Sequence, residues 1–131
     1  MKYIYLAQPI SKGNSFQNIR DGVIVSDFLM RKGYVVFNPG LSALHDMIIY
    51  NTPYELYMSQ DFAWIEKCDC LIRLPGESPG ADREIEYAKQ HNVPVFYGVA
   101  AFLDHVDQFA EADIKKLTTP ITSEEIFNKE D

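Results

Sequence analysis

Two acidic residues stand where core-facing helices should carry apolar side chains. Over residues 80–91, Ala81, Ile85 and Ala88 repeat at the i, i+4 and i+7 spacing of one helical face, and Glu84 takes the i+3 position on that face. Glu86 falls about 200° further round at about 100° per residue and should point to solvent. In the preceding helical pattern, Tyr54, Met58, Phe62 and Ile65 form the stripe, with Asp61 at i+3 from Met58. A lone charge facing a core is costly, so such an acid is paired, protonated or functional. Each has an ordinary alternative: a first-turn Glu complements the helix dipole, and an interior Asp can accept from a neighbouring loop N–H. Two acids breaking two stripes, each near the carboxyl end of a strand, point further. Paired carboxylates with separated pKa values suit an acetal-like carbon, where one attacks and the other handles the leaving group.

Other reactive side chains carry less. Cys68 and Cys70 alternate with Asp69 in an apolar run, which predicts two thiols on one face of a buried strand and no metal set. His45, His91 and His105 are scattered; His91 and His105 read as surface positions and His45 as a loop residue. Trp64 reads as a core or interface residue. No Ser sits in a G-x-S-x-G elbow. Two loops rich in small and polar residues, Gln8–Asn14 and Gly76–Gly80, lead into helix N-termini, where backbone N–H groups favour a phosphate or carboxylate. Neither matches the Walker or the GxGxxG pattern.

The elements that must position these residues follow from periodicity and breakers. Strands are predicted at Tyr3–Ala7, Tyr34–Phe37, Cys68–Leu74 and Val93–Val99. Helices are predicted from Ser15, as N-cap, to Lys32 with the stripe Phe16, Ile19, Val23, Phe28 and Met30, then from Pro53 to Lys67 and from Gly80 to His91. Gly33 supplies a stop. Residues 41–52 read as loop with one helical turn, 100–116 as a helix, and 118–131 as a polar tail. This β-α alternation predicts an α/β fold, a parallel sheet covered by helices on both faces, taken here in the order 2-1-3-4. Ligands then bind where strand order reverses, between strands one and three.

With 131 residues the chain is of one-domain size, a core over about 3–98 and a C-terminal segment over 100–131. Twelve Lys and Arg against 19 Asp and Glu give a net charge of −7, which speaks against a nucleic-acid polymer or an anionic membrane as partner. The short apolar run at the start stops at Gln8 and Pro9 and reads as neither signal peptide nor membrane span, so a cytoplasmic location is expected.

Several stretches together resemble the nucleoside 2-deoxyribosyltransferase-like superfamily, and most closely its small bacterial and phage branch related to deoxynucleoside 5′-monophosphate N-glycosidases. They are Tyr5-Leu6-Ala7-Gln8-Pro9-Ile10-Ser11, Gly33 to Pro39, Asp61, Cys68-Asp69, and Ser78-Pro79-Gly80-Ala81-Asp82-Arg83-Glu84 with Ala88. The resemblance implies a flavodoxin-like or Rossmann-like three-layer sandwich with a four- to five-stranded parallel sheet in order 2-1-3-4(-5), and an N-glycosidase or deoxyribosyltransferase-like enzyme. Glu84 would be the nucleophile at C1′ of the ribosyl group, Asp61 the acid/base and orienting group, and Tyr5 a partner of the nucleophile. Ser78, six residues before Glu84, implies a nucleoside 5′-monophosphate in preference to a free nucleoside. The implied binding set is Gln8, Ser11, Gly13, Asn14, Asn38, Ser78, Gly80 and Ala81. The substrate supplies the scissile bond, so neither metal nor cofactor is expected, and the resemblance implies a homo-oligomer, a dimer or larger. The chain departs from its relatives at Gln8, where they carry Gly, and in offering only Lys12 where N-glycosidases place an Arg. The alternative is a catalytically idle module of the same fold that binds a nucleotide or ribosyl ligand.

Overall fold

The computed structural model describes residues 2–106. Four strands, β1 (Tyr3–Ala7), β2 (Val35–Phe37), β3 (Cys70–Arg73) and β4 (Val95–Tyr97), form a parallel sheet in the order β2-β1-β3-β4. The helices are α1 (Ser15–Arg31), α2 (Ser42–Ile48), α3 (Tyr54–Lys67), α4 (Pro79–Gln90) and α5 (Val99–His105), with a 3-10 turn at Pro39–Leu41. The parallel sheet, its covering helices and the order match the fold expected from the sequence and the resemblance. The expected helix over 100–116 is met by α5 as far as His105; its remainder and the polar tail lie outside the described residues.

Alternation along the central strands assigns the two faces. Ile4, Leu6, Cys70 and Ile72 pack with Val25, Phe28 and Leu29 of α1 and Phe102 and Leu103 of α5. Tyr5, Ala7 and Leu71 pack against Ile65 of α3 and Ala81, Ile85 and Ala88 of α4. Because both faces are covered, β1 and the apolar part of β3 read as continuous apolar runs. The register pairs Tyr5 with Phe37 on one side and Leu71 on the other, so Tyr5 lies at the centre of the sheet.

Local chemistry sets the element ends, and it corrects several expectations. Asn14, not Ser15, is the N-cap of α1, its side chain accepting from the Gln17 N–H at 3.0 Å. Gly33, at φ +95°, closes α1 with its N–H on the Met30 carbonyl, and the Tyr34 N–H returns to Leu29, so β2 starts one residue late. The face of α1 is also rotated from the expected stripe: Gly22, Val25, Phe28 and Leu29 are buried while Phe16, Val23 and Met30 are exposed. The buried Gln8 side chain lies against Gly22, where a Cβ would stand 1.9 Å from its Oε1, and this approach selects the inward face. Residues 41–52 hold two helical turns, α2, where one was expected. β3 begins at Cys70 because Asp69 turns away to accept from the Lys2 and Tyr3 N–H groups at 2.8 and 2.9 Å. Cys68 therefore caps α3 and packs with the Tyr5 cluster, whereas Cys70 packs with the Ile4 cluster. The two thiols do not share a face. Trp64 is half exposed and stacks on Phe37, ring centroids 4.6 Å apart.

Candidate active site

A cleft of about 580 Å³ opens beyond the carboxyl ends of β1 and β3, at the point where strand order reverses. The loop after β1 supplies Gln8, Ser11 and Lys12, α3 supplies Tyr54 and Asp61, and the first turns of α4 supply Ser78, Gly80, Ala81 and Glu84. Its size suits a small ligand.

Glu84 lies on the buried face of α4, only 4% exposed, with Ala81, Ile85 and Ala88 as its neighbours on that face. The Tyr5 hydroxyl, fully buried on β1, donates to Glu84 Oε2. The Tyr5 ring is fixed by stacking on Phe37, which stacks in turn on Trp64. Asp61 lines the same cleft from α3, close enough for its charge to act on Glu84 and Tyr5. Three ionisable groups from three elements thus meet at the cleft floor.

Burial decides their charge states. It pushes Glu84 well above the ordinary carboxylate range, and the Asp61 charge adds to that; the Tyr5 hydrogen bond and the Arg73 guanidinium oppose it. Burial raises Asp61 as well, while its interactions with Glu84 and Tyr5 pull the other way. Burial and the two neighbouring acids drive Tyr5 upward, so it stays a phenol and a donor. Two coupled carboxyls beside a fixed donor can hold and pass a proton, and one of them can attack an electrophilic carbon.

The supporting loops are tied down by named bonds. Arg73, at the end of β3, donates to the Leu74 and Gly76 carbonyls and meets Asp82 at 3.4 Å, which shapes the turn that leads into α4. Ser78 is the N-cap of α4, its Oγ accepting from the Ala81 N–H at 3.0 Å. Asn18 of α1 donates to the Lys12 and Ile10 carbonyls at 2.6 and 3.3 Å and holds the loop after β1. Gln8 is 3% exposed; its Nε2 donates to the Asn18 carbonyl at 2.7 Å, and its Oε1 has no hydrogen-bond partner.

Of the eleven residues singled out from sequence, seven line the cleft: Gln8, Ser11, Asp61, Ser78, Gly80, Ala81 and Glu84. Tyr5 reaches it through Glu84. Gly13, Asn14 and Asn38 do not line it. Asn14 caps α1, and Asn38 accepts from Gly40 N–H at 2.8 Å while donating to Ser26 Oγ at 3.2 Å, so both side chains hold backbone turns. His45, expected in a loop, sits on α2 with its ring edge-on to Tyr57. The residues that sequence reasoning missed are the cleft wall formed by Asp46, Tyr50, Tyr54 and Tyr57. Tyr54 was assigned to the core stripe of its helix, yet it is 47% exposed. Its place as the first residue of α3, directly after Pro53, is the signal that separates it from Met58 and Ile65. Among the described residues, no three His, Cys, Asp or Glu side chains gather as a metal set, and no helix is long and apolar enough to cross a membrane.

Residues 2–97 match DUF4406, a domain of unknown function. No curated protein matches the sequence. Among solved structures, the 2-deoxyribosyltransferase from the psychrotolerant bacterium Bacillus psychrosaccharolyticus is similar, with a TM-score of 0.59 over 92% of this chain and 99% of that chain, at 16% identity. The nucleoside 2-deoxyribosyltransferase-like fold is thereby shared across nearly the whole length of both.

Proposed function

We propose that this chain, which belongs to the DUF4406 family, is an enzyme that breaks the N-glycosidic bond of a nucleoside 5′-monophosphate through a covalent glycosyl ester on Glu84. The observation that carries this reading is the meeting of Glu84, Asp61 and Tyr5 at the floor of a cleft sited where α/β folds bind ligands. The similar fold of a 2-deoxyribosyltransferase, described as a suitable biocatalyst for the industrial synthesis of nucleosides, supports it.

Glu84, which burial keeps protonated, passes its proton to Asp61 within the pair and attacks C1′ as a carboxylate. The C1′–N bond breaks and its electron pair leaves with the base, which takes a proton delivered from the Asp61 side. A sugar ester remains on Glu84. Water then attacks C1′ with Asp61 accepting its proton, which frees Glu84 and the sugar; a second base in place of water completes a transfer. Tyr5 stays protonated and holds the Glu84 carboxylate in line, favouring the charged form that attacks. Ser78, Gly80 and Ala81 at the start of α4, with Ser11 and Lys12 across the cleft, bind the 5′ side of the substrate. The chain acts as a homo-oligomer. The test is release of free base from a panel of ribo- and deoxyribonucleoside 5′-monophosphates, with Glu84→Ala as control.

A further inference from the structure

The N-terminus of α4 is poorer in donors than its length alone implies. Pro79 has no N–H, the Ala81 N–H is taken by Ser78 Oγ at 3.0 Å, and the Asp82 N–H by the Ser78 carbonyl at 3.0 Å. In that first turn the Gly80 N–H alone has no protein acceptor among the described residues. An anion seated there needs side-chain donors to complete its hydrogen bonds.

Tyr54 stands over that position. Its hydroxyl lies 3.0 Å from the point a Gly80 Cβ would occupy, and Ser78 Oγ lies 4.0 Å from the same point. Glycine at 80 leaves the room that the phenol uses. Tyr54 is half exposed and lines the cleft, so core burial does not fix it. A clamp does: the Arg83 guanidinium sits 5.6 Å from the Tyr54 ring centroid, and Arg83 forks onto both oxygens of Glu55 at 2.8 and 3.0 Å. A planar, doubly bonded guanidinium against an aromatic face is a stiffer support than a Lys point charge.

Gly80 precedes Glu84 by four residues, about one turn on the same helical face. A ribosyl group with C1′ at the Glu84 carboxylate and its 5′ end running back along α4 would meet the α4 terminus and Tyr54. We propose that Tyr54 is a specificity-determining residue whose hydroxyl donates to a 5′-phosphate seated over Gly80, held there by the Glu55–Arg83 clamp. The inference rests on the N-ribosyl reading of Glu84 and adds, beside Ser78, a second residue that tells a 5′-phosphate from a free 5′-hydroxyl.

The experiment is calorimetric binding of ribose 5-phosphate and of ribose to the wild type, Tyr54→Phe and Gly80→Ala, with circular dichroism to confirm folding. The wild type should prefer ribose 5-phosphate. Tyr54→Phe should cut that preference about tenfold, the effect of losing one hydrogen bond to a charged group. Gly80→Ala should act in the same direction, since its Cβ would stand 3.0 Å from the Tyr54 hydroxyl and shift it by about a few tenths of an ångström. Equal weakening of both sugars, no change in either variant, or a wild type indifferent to the phosphate overturns the proposal. The outcome is separable from turnover. Base release with no effect of Tyr54→Phe keeps the Glu84 reading and sinks this one. A Tyr54-dependent preference without base release keeps the phosphate contact and sinks the cleavage reading.

Discussion

Tyr5 and Glu84, 79 positions apart in the chain, share a buried hydrogen bond in which the phenol donates to Oε2. The parallel sheet places Tyr5 at its centre, and α4 lowers Glu84 onto it. The bond stabilises the carboxylate relative to the neutral acid, so its removal should raise the pKa of Glu84 further. Tyr5→Phe keeps the ring stacked on Phe37 and removes only the donor. Its kcat at neutral pH should fall about tenfold or more, and the limb of the pH–rate profile that reports carboxylate ionisation should move to higher pH. A profile that stays in place would separate the two residues functionally.

The same burial makes stability depend on pH with a definite sign. In the unfolded chain a Glu ionises near about 4.3, whereas folded Glu84 holds its proton to higher pH. Between those values the unfolded state binds fewer protons, so stability falls as pH rises through the window. Asp61, raised by burial, contributes in the same direction. Asp69, lowered by the Tyr3 and Lys2 N–H groups, acts below the ordinary carboxylate range and does not mask the trend. Glu84→Gln should flatten the decline and melt above the wild type at neutral pH. Thermal melts across pH 4 to 8, about the interval that spans the ordinary and raised carboxylate values, check this; a wild-type Tm that climbs steadily with pH would contradict it.

Much of this arrangement is legible in the residues alone. Glu84 stands out because an acid breaks an otherwise apolar stripe, and the structure buries it with that stripe. The parallel sheet with helices on both faces follows from the alternation of short apolar runs with helical periods, while its order comes from the family resemblance. The tyrosine wall is not legible in the same way. α2 buries none of its residues, so Leu44, Met47 and Ile48 are exposed and periodicity had no core face to report. Without α2, the placing of Asp46 and Tyr50 beside the cleft could not be seen. The inward face of α1 escaped for another reason. It is chosen by a polar contact, Gln8 against Gly22, and not by the largest apolar side chains.

That contact yields its own test. Gly→Ala within an exposed helix gains about 0.5–1 kcal/mol, but at position 22 the new Cβ would stand 1.9 Å from Gln8 Oε1. Overpacking of this kind costs about 1–3 kcal/mol and should win. Gly22→Ala is therefore destabilising alone, and in a Gln8→Ala background it becomes neutral or stabilising. A denaturant double-mutant cycle measures the coupling; additive effects would show that Gln8 does not hold the α1 face.

Ser78 separates helix capping from substrate charge. Asp and Ser cap a helix about equally well, so Ser78→Asp should keep α4 intact, whereas Ser78→Ala should cost about 1 kcal/mol. If Ser78 faces the 5′-phosphate, the added carboxylate repels it, and the preference in kcat/KM shifts from nucleotide toward nucleoside. An unchanged preference removes Ser78 from the phosphate site.

The central claim is that Glu84 breaks an N-ribosyl bond, and release of free base tests it most directly. Purified protein is incubated with ribo- and deoxyribonucleoside 5′-monophosphates and with the matching nucleosides, and the bases are resolved chromatographically beside a Glu84→Ala control. The account predicts base from at least one 5′-monophosphate with the wild type and none with Glu84→Ala. No release from any member of the panel, with thermal stabilisation by the same ligands, would contradict it and make the domain a nucleotide-binding module.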